Sequence, residues 1–364
     1  MSIRYIPGTE APTFHGATVH HNQYSHATHA PGPIVYRVSR SVALPDNLTI
    51  VIGKNVTVQF AVTPNDPVFQ DPACPTLYWP DGNTALICGT NVTNVAVVGL
   101  DQNSSVIDGG GWSWYEAGIA NKSMWGQGPR LFEFAWTTNI SLATVTILNS
   151  PSWTVHPTFS QNVLIDAVKL YNPRFTPNTG GIMPDSASNV VIQDCTVDTG
   201  DDGIAISSMN STEPNSRHIQ VPTRNVHVQR NVILSRNLCF GSGTFGGIYD
   251  VVVEDCEIGD DDGSAPWAIK YKSHQSYVGT MANHSFRRIR IGNIQPNSYQ
   301  QPTGGFVLEI RLRYHPVIPN RTCHTWDCPA FRDISFEDII ITGAQRAGDI
   351  SGLDGDLLEG LYCW

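Results

Sequence analysis

Short apolar runs recur along the chain, and within each of them apolar and polar residues alternate. Eight runs share one template, which is an Asn, Asp or Arg, alternating β-branched residues, a polar corner and a second short apolar run. They are NVAVVGL from Asn94, NISLATVTIL from Asn139, NVLIDAVKL from Asn162, NVVIQDCTV from Asn189, NVHVQRNVIL from Asn225, DVVVEDCEI from Asp250, RIRIGNI from Arg288 and DISFEDIII from Asp333. A period of two with β-branched enrichment predicts strands, and the corners follow too closely for helices to fit between them.

The spacing of these runs predicts a solenoid. Successive starts are separated by 45, 23, 27, 36, 25, 38 and 45 residues, which fits units of about 20 to 30 residues with loops inserted in the longer ones. One coil cannot bury its inner face alone, so stacked coils share a continuous core. Cys195 and Cys256 occupy the same template position and are expected to stack inside it. The Asn that opens many coils tolerates a left-handed turn and can bond within a stack of corners.

The ends of the chain are less regular. The first ninety residues contain apolar strands such as YRVSRSVAL and LTIVIGKNVTVQF, but no repeat that aligns with the template. We expect one all-β domain over residues 1–364, with a less regular part over about 1–90. The abrupt end at Tyr362, Cys363 and Trp364 leaves the last coil uncovered, which indicates truncation there.

Composition narrows the class of protein. Apolar residues make up 41% of the chain, charged residues 15%, and the formal net charge is −10. This suits a core-rich protein and gives no support to recognition of nucleic-acid phosphates. No run approaches the ~20 apolar residues that span a bilayer, so no membrane partner is expected.

Nine N-x-S/T sequons favour a secreted eukaryotic glycoprotein. They begin at Asn47, Asn55, Asn91, Asn103, Asn121, Asn139, Asn210, Asn283 and Asn320. The N-terminal MSIRYIPGTE does not resemble a signal peptide, so such a peptide would be missing from this sequence. Accidental sequons in an Asn- and Thr-rich β protein are the alternative.

The cysteines and histidines predict disulfides rather than a metal site. Among eight cysteines, Cys323 and Cys328 can staple one loop, and Cys74 and Cys88 can close another. Neither pair has a second ligand pair at zinc-site spacing. Five histidines lie between residues 15 and 29 without a carboxylate or cysteine partner at ligand spacing, which favours a solvated loop.

Two adjacent aspartates, Asp201 and Asp202, stand between Gly200 and Gly203 inside a run that otherwise predicts buried strand. Burying an unpaired carboxylate is unfavourable, but the glycines let the chain bend so that both side chains reach a surface groove. Like charges this close raise one pKa, which gives one acid and one base. Hydrolysis of a glycosidic bond requires that pair. A glycine-capped, Asp-rich turn is the alternative.

Several ordered segments resemble the polygalacturonase family, glycoside hydrolase family 28. They are SVIDGGGWSWY from Ser105, LNSPSWTVHP from Leu148, NTGGIMPDSASNVVIQDCTVDTGDDGIAIS from Asn178, FGSGTFGGIYDVVVEDC from Phe240 and IKYKSHQSYVGTMANHSFRRIRIGNI from Ile269. The resemblance covers roughly residues 100–295. It implies a right-handed parallel β-helix whose groove binds pectin-type polysaccharide and cleaves it with inversion.

The family's active-site aspartates are only partly kept. In the GDD pattern, Asp202 matches the general acid, and Asp201 matches a residue that holds the attacking water. The third aspartate of the family comes from an NTD pattern, where this chain has Gly180 in NTGG. Asn178 of this motif and the nearby Asp185 are expected to bind substrate, although Asp185 matches a position outside the triad.

The family's basic positions also differ. Its HG dipeptide aligns with Arg236 and Asn237, so the histidine is absent. Its R-I-K pattern aligns with Lys270, Tyr271 and Lys272, which keeps two cations and changes the fork geometry of the arginine. Lys270, Lys272, Arg236 and Tyr271 are predicted to bind substrate, and the cations favour an anionic sugar.

Aromatic residues add weaker predictions. Trp112, Trp114 and Trp125 are expected on a loop near one end of the groove, where flat rings can stack on sugars. Trp153 is expected to pack between coils. Further groove candidates are His156, Tyr271 and Arg311.

The leading hypothesis is a secreted, monomeric, polygalacturonase-like hydrolase that needs no cofactor and acts on pectic or related acidic polysaccharide. One alternative is a catalytically reduced member that binds cell-wall polysaccharide, supported by Gly180, Arg236 and Lys270. Another is a calcium-dependent pectate lyase, with GDDD at Gly259–Asp262 as a candidate calcium site. A related specificity for rhamnogalacturonan, xylogalacturonan or an algal polysaccharide is equally consistent with these changes.

Overall fold

The chain winds into stacked coils of parallel strands. The computed structural model describes residues 33–61, 63–64, 74, 84–209, 220–234, 236–259, 265–274, 277, 279–296, 304–311 and 329–351, and the backbone of strands at Ser2–Ile6, Thr18–His20 and Leu357–Cys363. These residues form 29 strands, numbered β1 to β29 in chain order. The strands stack in three ladders, and every pairing among them is parallel.

The first ladder carries the alternating runs of the sequence template. Its strands are β1 (Ser2–Ile6), β2 (Thr18–His20), β5 (Leu48–Ile52), β8 (Thr93–Gly99), β11 (Thr138–Ala143), β14 (Gln161–Asp166), β16 (Ser188–Gln193), β19 (Thr223–Gln229), β22 (Ile248–Glu254), β25 (Met281–Ile291), β27 (Ala330–Ile341) and β29 (Leu357–Cys363).

The second ladder carries the short runs after the polar corner. Its strands are β3 (Ile34–Val38), β6 (Val56–Phe60), β9 (Ser105–Asp108), β12 (Thr146–Leu148), β15 (Lys169–Tyr171), β17 (Thr196–Asp198), β20 (Val232–Ile233) and β23 (Glu257–Ile258). The long strands β25 and β27 also extend into it, which joins the first two ladders into one 20-stranded sheet.

The third ladder forms the remaining side of the coils. Its strands are β4 (Val42–Ala43), β7 (Ile87–Thr90), β10 (Phe132–Ala135), β13 (Val155–Thr158), β18 (Ile204–Ser208), β21 (Leu238–Thr244), β24 (Trp267–Lys272), β26 (Phe306–Arg311) and β28 (Arg346–Ser351). Isolated bridges at Ile182 and Asp185 connect β13 to β18. The three ladders form a right-handed parallel β-helix, which confirms the predicted fold class.

Equivalent residues of successive coils stack in register inside the helix. One column runs through Ile140, Val163, Val190, Val226 and Val251, each paired with the next. Such columns bury apolar side chains against the coils above and below, which a single coil cannot do. The free thiols of Cys195 and Cys256 lie in this core at 2% and 1% exposure, as predicted.

Asparagines form a hydrogen-bonded ladder along one corner. The side-chain amide of each donates to the side-chain oxygen of its counterpart one coil earlier, and the backbone at each is left-handed, with φ near 55–60° at most positions. The pairs are Asn94 to Asn47, Asn139 to Asn94, Asn162 to Asn139, Asn189 to Asn162, Asn225 to Asn189 and Asn283 to Asp250. This confirms the predicted stack of corners.

The ladder corrects two parts of the predicted repeat. Asn47 belongs to it, so aligned coils already begin within the first ninety residues. The coil that contains the seventh run of the template opens at Asn283 rather than at Arg288. Arg288 instead occupies the next corner, with φ of 51°, and its Nε donates to Asp255 Oδ1 at 2.6 Å. Both corners lie within the long strand β25, and alternately buried positions follow each of them, which is why the sequence pattern confused them.

Replacing Asn162 by alanine is expected to lower the free energy of unfolding by about 2 kcal/mol. Alanine is strained at φ of 56° and loses two ladder hydrogen bonds, at 2.9 and 3.0 Å. Asn162→Gly relieves the strain and loses only the hydrogen bonds, so we expect about half that loss. Urea unfolding of the three proteins measures both. Equal stability of all three would show that the ladder contributes nothing.

The helix α1 (Trp112–Ala120) lies between β9 and β10 and is followed by a 3-10 turn at Lys122–Met124. The prediction that these tryptophans stand on a loop is therefore wrong for Trp112 and Trp114, which lie in the helix, whereas Trp125 lies in the turn that follows. Trp114 is 3% exposed, and Trp125 packs against Gly118, where a Cβ atom would lie 2.5 Å from the indole. Trp112 remains 53% exposed and lies against Phe175.

A disulfide joins Cys74 and Cys88, as the loop spacing predicts. The other predicted pair, Cys323 and Cys328, lies outside the described residues, as do the side chains of residues 15–29 and most of Gly259–Asp262. Among the described residues, no helix is long and apolar enough to cross a membrane. In the same part of the chain, His, Cys, Asp and Glu side chains form no group that could hold a metal ion.

Candidate active site

The predicted acidic and basic residues meet on the outer side of the third ladder. Side chains alternate along a strand, so on β24 Tyr271 faces the core while Lys270 and Lys272 face away from it. A cleft at this side is lined by twelve residues, which are Trp153, Asn178, Gly180, Met183, Asp201, Asp202, Ser207, Met209, Gly241, Ser242, Gly243 and Lys272.

Asp201 and Asp202 lie in the turn between β17 and β18. The turn packs tightly on the preceding coil, because a Cβ atom at Gly200 would lie 2.0 Å from the carbonyl oxygen of Thr176. Two backbone amides orient the Asp201 carboxylate. Its Oδ1 accepts from Asp202 N and its Oδ2 from Asn178 N, both at 2.9 Å. The two carboxylates therefore have different surroundings, although they are adjacent in the chain.

Lys272 forms an ion pair with Asp202 across two coils. Nζ of Lys272 lies 2.5 Å from Oδ2 of Asp202, and the side chains are 7% and 14% exposed. Burial raises the pKa of Asp202, but Lys272, with Lys270 and Arg236, lowers it by more, so the pKa lies below the ordinary 3.8. The expectation that the aspartate pair raises one pKa is thus wrong for Asp202, because the surrounding cations outweigh burial.

Replacing Lys272 by methionine is expected to raise the pKa of Asp202, because the carboxyl stays buried after losing its nearest cation. Carbon-detected NMR of the aspartate carboxyls, with Asp202→Asn as the assignment control, measures the change without substrate. An Asp202 resonance that titrates at the same pH in both proteins would contradict the ion pair.

The other two predicted basic residues, Lys270 and Arg236, contact other groups of the protein. Nζ of Lys270 lies 2.9 Å from Glu309 Oε2 and 3.3 Å from the centre of the Trp267 ring, and the side chain is 6% exposed. Burial and repulsion by Lys272 lower the pKa of Lys270, and Glu309 opposes this. Arg236 donates from Nε and Nη2 to the carbonyl oxygen of Gly200, at 3.0 and 2.8 Å. It therefore holds the aspartate turn.

Of the six predicted substrate-binding residues, only Asn178 and Lys272 line the cleft, and Tyr271 and Asp185, like Lys270 and Arg236, do not. Tyr271 is 0% exposed in the core, stacked on Phe240 at 4.4 Å, and its hydroxyl contacts His284 Nδ1 at 2.9 Å. Its place between two outward lysines on one strand explains the error. Asp185 is also 0% exposed, and its Oδ1 accepts from Met209 N at 2.8 Å. Arg311 pairs in register with Lys272 on the next coil.

At the position of the family's third aspartate, Gly180 lies between Trp153 and the turn. A Cβ atom there would lie 2.7 Å from Met183 Sδ and 3.5 Å from the carbonyl oxygen of Asp202. The methionine side chain thus takes part of the space that a carboxylate would fill. The missing carboxylate is a local change in an otherwise retained turn.

The sequence prediction missed several cleft residues. Trp153 lines the cleft rather than packing between coils, and Met183 and Met209 lie on its wall. Val155, the first residue of β13, pairs with Ile182 on the next coil. Trp153 and Gly180 each stand two residues before this pair, so they occupy equivalent positions on neighbouring coils. Alignment of those two coils is the signal that could have placed Trp153 in the groove.

A lateral cleft on a parallel β-helix thus brings two aspartates together beside a lysine, and carboxyl pairs of this kind are the reacting groups of glycoside hydrolases. The chain belongs to glycosyl hydrolases family 28, whose model matches residues 45–300.

Two known proteins with similar sequences are named as polygalacturonases. A probable polygalacturonase of Vitis vinifera is 29% identical over 282 residues, which are 76% of this chain and 53% of that protein. An endo-polygalacturonase of Pectobacterium carotovorum is 27% identical over 71% of this chain and 63% of its own length. The chain thus spans about half to two thirds of these relatives.

Solved structures support the fold. The exopolygalacturonase of Thermotoga maritima superposes with a TM-score of 0.70 at 24% identity, over 91% of this chain and 77% of that one.

Proposed function

We propose that the protein hydrolyses glycosidic bonds in pectic or related acidic polysaccharide with inversion, as a secreted monomer without a cofactor. The observation that carries this proposal is the pairing of Asp202 with Lys272 in a cleft that also holds Asp201. The carboxylates supply acid and base chemistry, and the lysine supplies charge complementarity to a uronate.

In this proposal, Asp202 protonates the leaving glycosidic oxygen. A uronate carboxylate that draws Lys272 towards itself leaves Asp202 buried without its nearest cation, which raises its pKa and lets it take up a proton. Asp201, oriented by the amides of Asp202 and Asn178, accepts a proton from water that attacks the opposite face of the sugar. The C–O bond breaks as the water oxygen bonds to the anomeric carbon.

The products test this assignment. Polygalacturonate is incubated with the protein and a chelator, and new reducing ends, ultraviolet absorbance of unsaturated uronate and the anomer formed first are followed, the last by proton NMR. Hydrolysis predicts reducing ends without absorbance, and inversion predicts that the β anomer comes first. Chelator-sensitive absorbance would instead establish a lyase, and an α anomer would contradict inversion.

A second function, binding without turnover, is favoured by Gly180. No carboxylate is present at this position, and Met183 lies where one would extend. Calorimetric binding of oligogalacturonate together with no reducing ends would support it. Reducing ends that disappear in Asp202→Asn would refute it.

Secretion is supported by the Cys74–Cys88 disulfide, since disulfides persist in oxidising compartments. The sequons support it less than their number suggests. Asn139 and Asn283 donate their side-chain amides to the corner ladder, so a structural requirement accounts for these asparagines without glycosylation. Mass spectrometry of the protein from a secreting eukaryotic host identifies which sequons carry glycans.

A further inference from the structure

The indole of Trp153 forms part of the cleft wall beside the carboxylate pair. It lines the same cleft as Gly180, Asp201 and Asp202, and its side chain is partly exposed. The guanidinium carbon of Arg130 lies over the ring, 4.4 Å from its centre. Flat aromatic walls with few polar groups are typical of small-ligand clefts. The ring is therefore placed to contact a sugar bound at Asp202.

Four buried charged side chains lie behind this wall, and we call them the buried charge cluster: Arg130, Glu133, His156 and Asp185. Nη1 of Arg130 lies 2.5 Å from Glu133 Oε2, and Nδ1 of His156 lies 3.1 Å from both oxygens of Glu133. On the other side, Nε2 of His156 lies 3.4 Å from Asp185 Oδ2.

The cluster is almost completely buried and contains complementary charges. Exposure of its members ranges from 0% to 4%. Burial raises the pKa of Glu133, but Arg130 and His156 lower it by more. Burial lowers the pKa of His156, but Glu133 and Asp185 raise it despite Arg130. Cation and anion thus stabilise each other, and a paired network of this kind holds its members in defined positions.

The cluster touches the cleft wall at two places. Arg130 lies on the Trp153 ring, and the ring of His156 meets the same indole edge to face, with centres 5.1 Å apart. At the far end, Asp185 Oδ1 accepts from the backbone amide of Met209, another cleft residue, at 2.8 Å. The residues behind the wall are therefore tied to both Trp153 and Met209.

We infer that Trp153 is a sugar-stacking residue of the subsite next to the carboxylate pair, and that the buried charge cluster is a positioning device that holds its ring. This inference rests on the proposed polysaccharide substrate. Arg130, Glu133, His156 and Asp185 touch no substrate in it, and they act through the position of Trp153.

Binding to oligogalacturonate tests the stacking role, in the Asp202→Asn background so that the ligand is not consumed. Trp153→Ala is expected to weaken binding about tenfold or more, as loss of a central aromatic contact does. Trp153→Phe keeps a flat ring and is expected to lose less. Trp136→Ala, which removes an indole stacked on Phe159 outside the cleft, is the control. Unchanged affinity for Trp153→Ala would overturn the inference.

A double-mutant cycle tests the positioning role. The double variant Arg130→Gln with Glu133→Gln removes both charges together, so that neither is left buried without its partner. This double variant is expected to have a raised KM and a smaller change in kcat. In the Trp153→Ala background, the same double change is expected to alter KM little further, because the cluster affects substrate binding only through the Trp153 ring. Additive losses of affinity would overturn positioning through Trp153.

A measurement without substrate separates this inference from the proposed function. Acrylamide quenching of Trp153, obtained as the difference between each protein and its Trp153→Phe counterpart, is expected to increase when Arg130 and Glu133 are both replaced. Equal quenching would overturn the positioning role whatever the substrate. A protein that binds oligogalacturonate through Trp153 but releases no reducing ends would contradict only the hydrolase assignment.

Discussion

Replacing Asp202 by asparagine is expected to lower kcat on polygalacturonate by about 10²- to 10⁴-fold, the usual contribution of a general acid. In the unmodified protein, Nζ of Lys272 lies 2.5 Å from Oδ2 of Asp202. Asparagine has nearly the same shape as aspartate, and its side-chain oxygen can still accept a hydrogen bond from Lys272. The fold should therefore persist and KM should change much less than kcat. Reducing-end assays at several substrate concentrations, together with thermal unfolding, measure these effects.

A matched control comes from the same coil. Asp194→Asn removes a carboxylate whose ion pair with Arg230, at 2.8 Å, lies on an exposed corner away from the cleft. Because exposed ion pairs stabilise little, we expect kcat and stability close to those of the unmodified protein. If Asp202→Asn retained kcat as Asp194→Asn does, the proton donor would have to be another group.

Replacing Gly180 by aspartate is expected to raise kcat by about 10²-fold, the lower end of what a positioned base contributes. The Cβ atom of the new side chain would lie 3.5 Å from the carbonyl oxygen of Asp202. There it could hold attacking water, and by like-charge repulsion it would raise the pKa of Asp202, opposing Lys272. The backbone allows the change, provided that the flexible Met183 side chain moves away from a 2.7 Å contact.

Gly180→Asn separates charge from shape. It has the same size and the same conflict with Met183, but it cannot act as a base. Equal kcat for Gly180→Asn and Gly180→Asp would therefore show that a carboxylate is not required at this position. A rise confined to the aspartate variant would show that the chain lacks one catalytic group and otherwise retains the site.

The pH dependence of activity links these variants. In the unmodified protein the cations around Asp202 hold its pKa below 3.8, so little of the free enzyme carries the acid proton at neutral pH. Both Lys272→Met and Gly180→Asp weaken that effect, in one case by removing a cation and in the other by adding an anion. The pH profile of kcat/KM, which reports the free enzyme, should therefore extend to higher pH in both variants than in the unmodified protein.

Much of the fold follows from local pattern. Alternation, β-branched residues and the recurrent Asn are properties of each short segment, so the sequence alone predicts coils, corner asparagines and inward cysteines. The glycines on either side of Asp201 and Asp202 likewise predict a bend of the chain there. The starting residue of one coil was misplaced because Asn283 and Arg288 are both left-handed corners within one long strand, β25.

The tertiary structure decided what surrounds each reactive group. Whether Lys272 reaches Asp202 depends on the register of coils separated by 70 residues, which no local pattern specifies. The same register places Trp153 on the cleft wall and closes the contacts among Arg130, Glu133, His156 and Asp185. Alternation along β24 could have excluded Tyr271 from the groove. The pKa of Asp202, however, depends on burial and on charges from other coils, and these exist only once the coils are stacked.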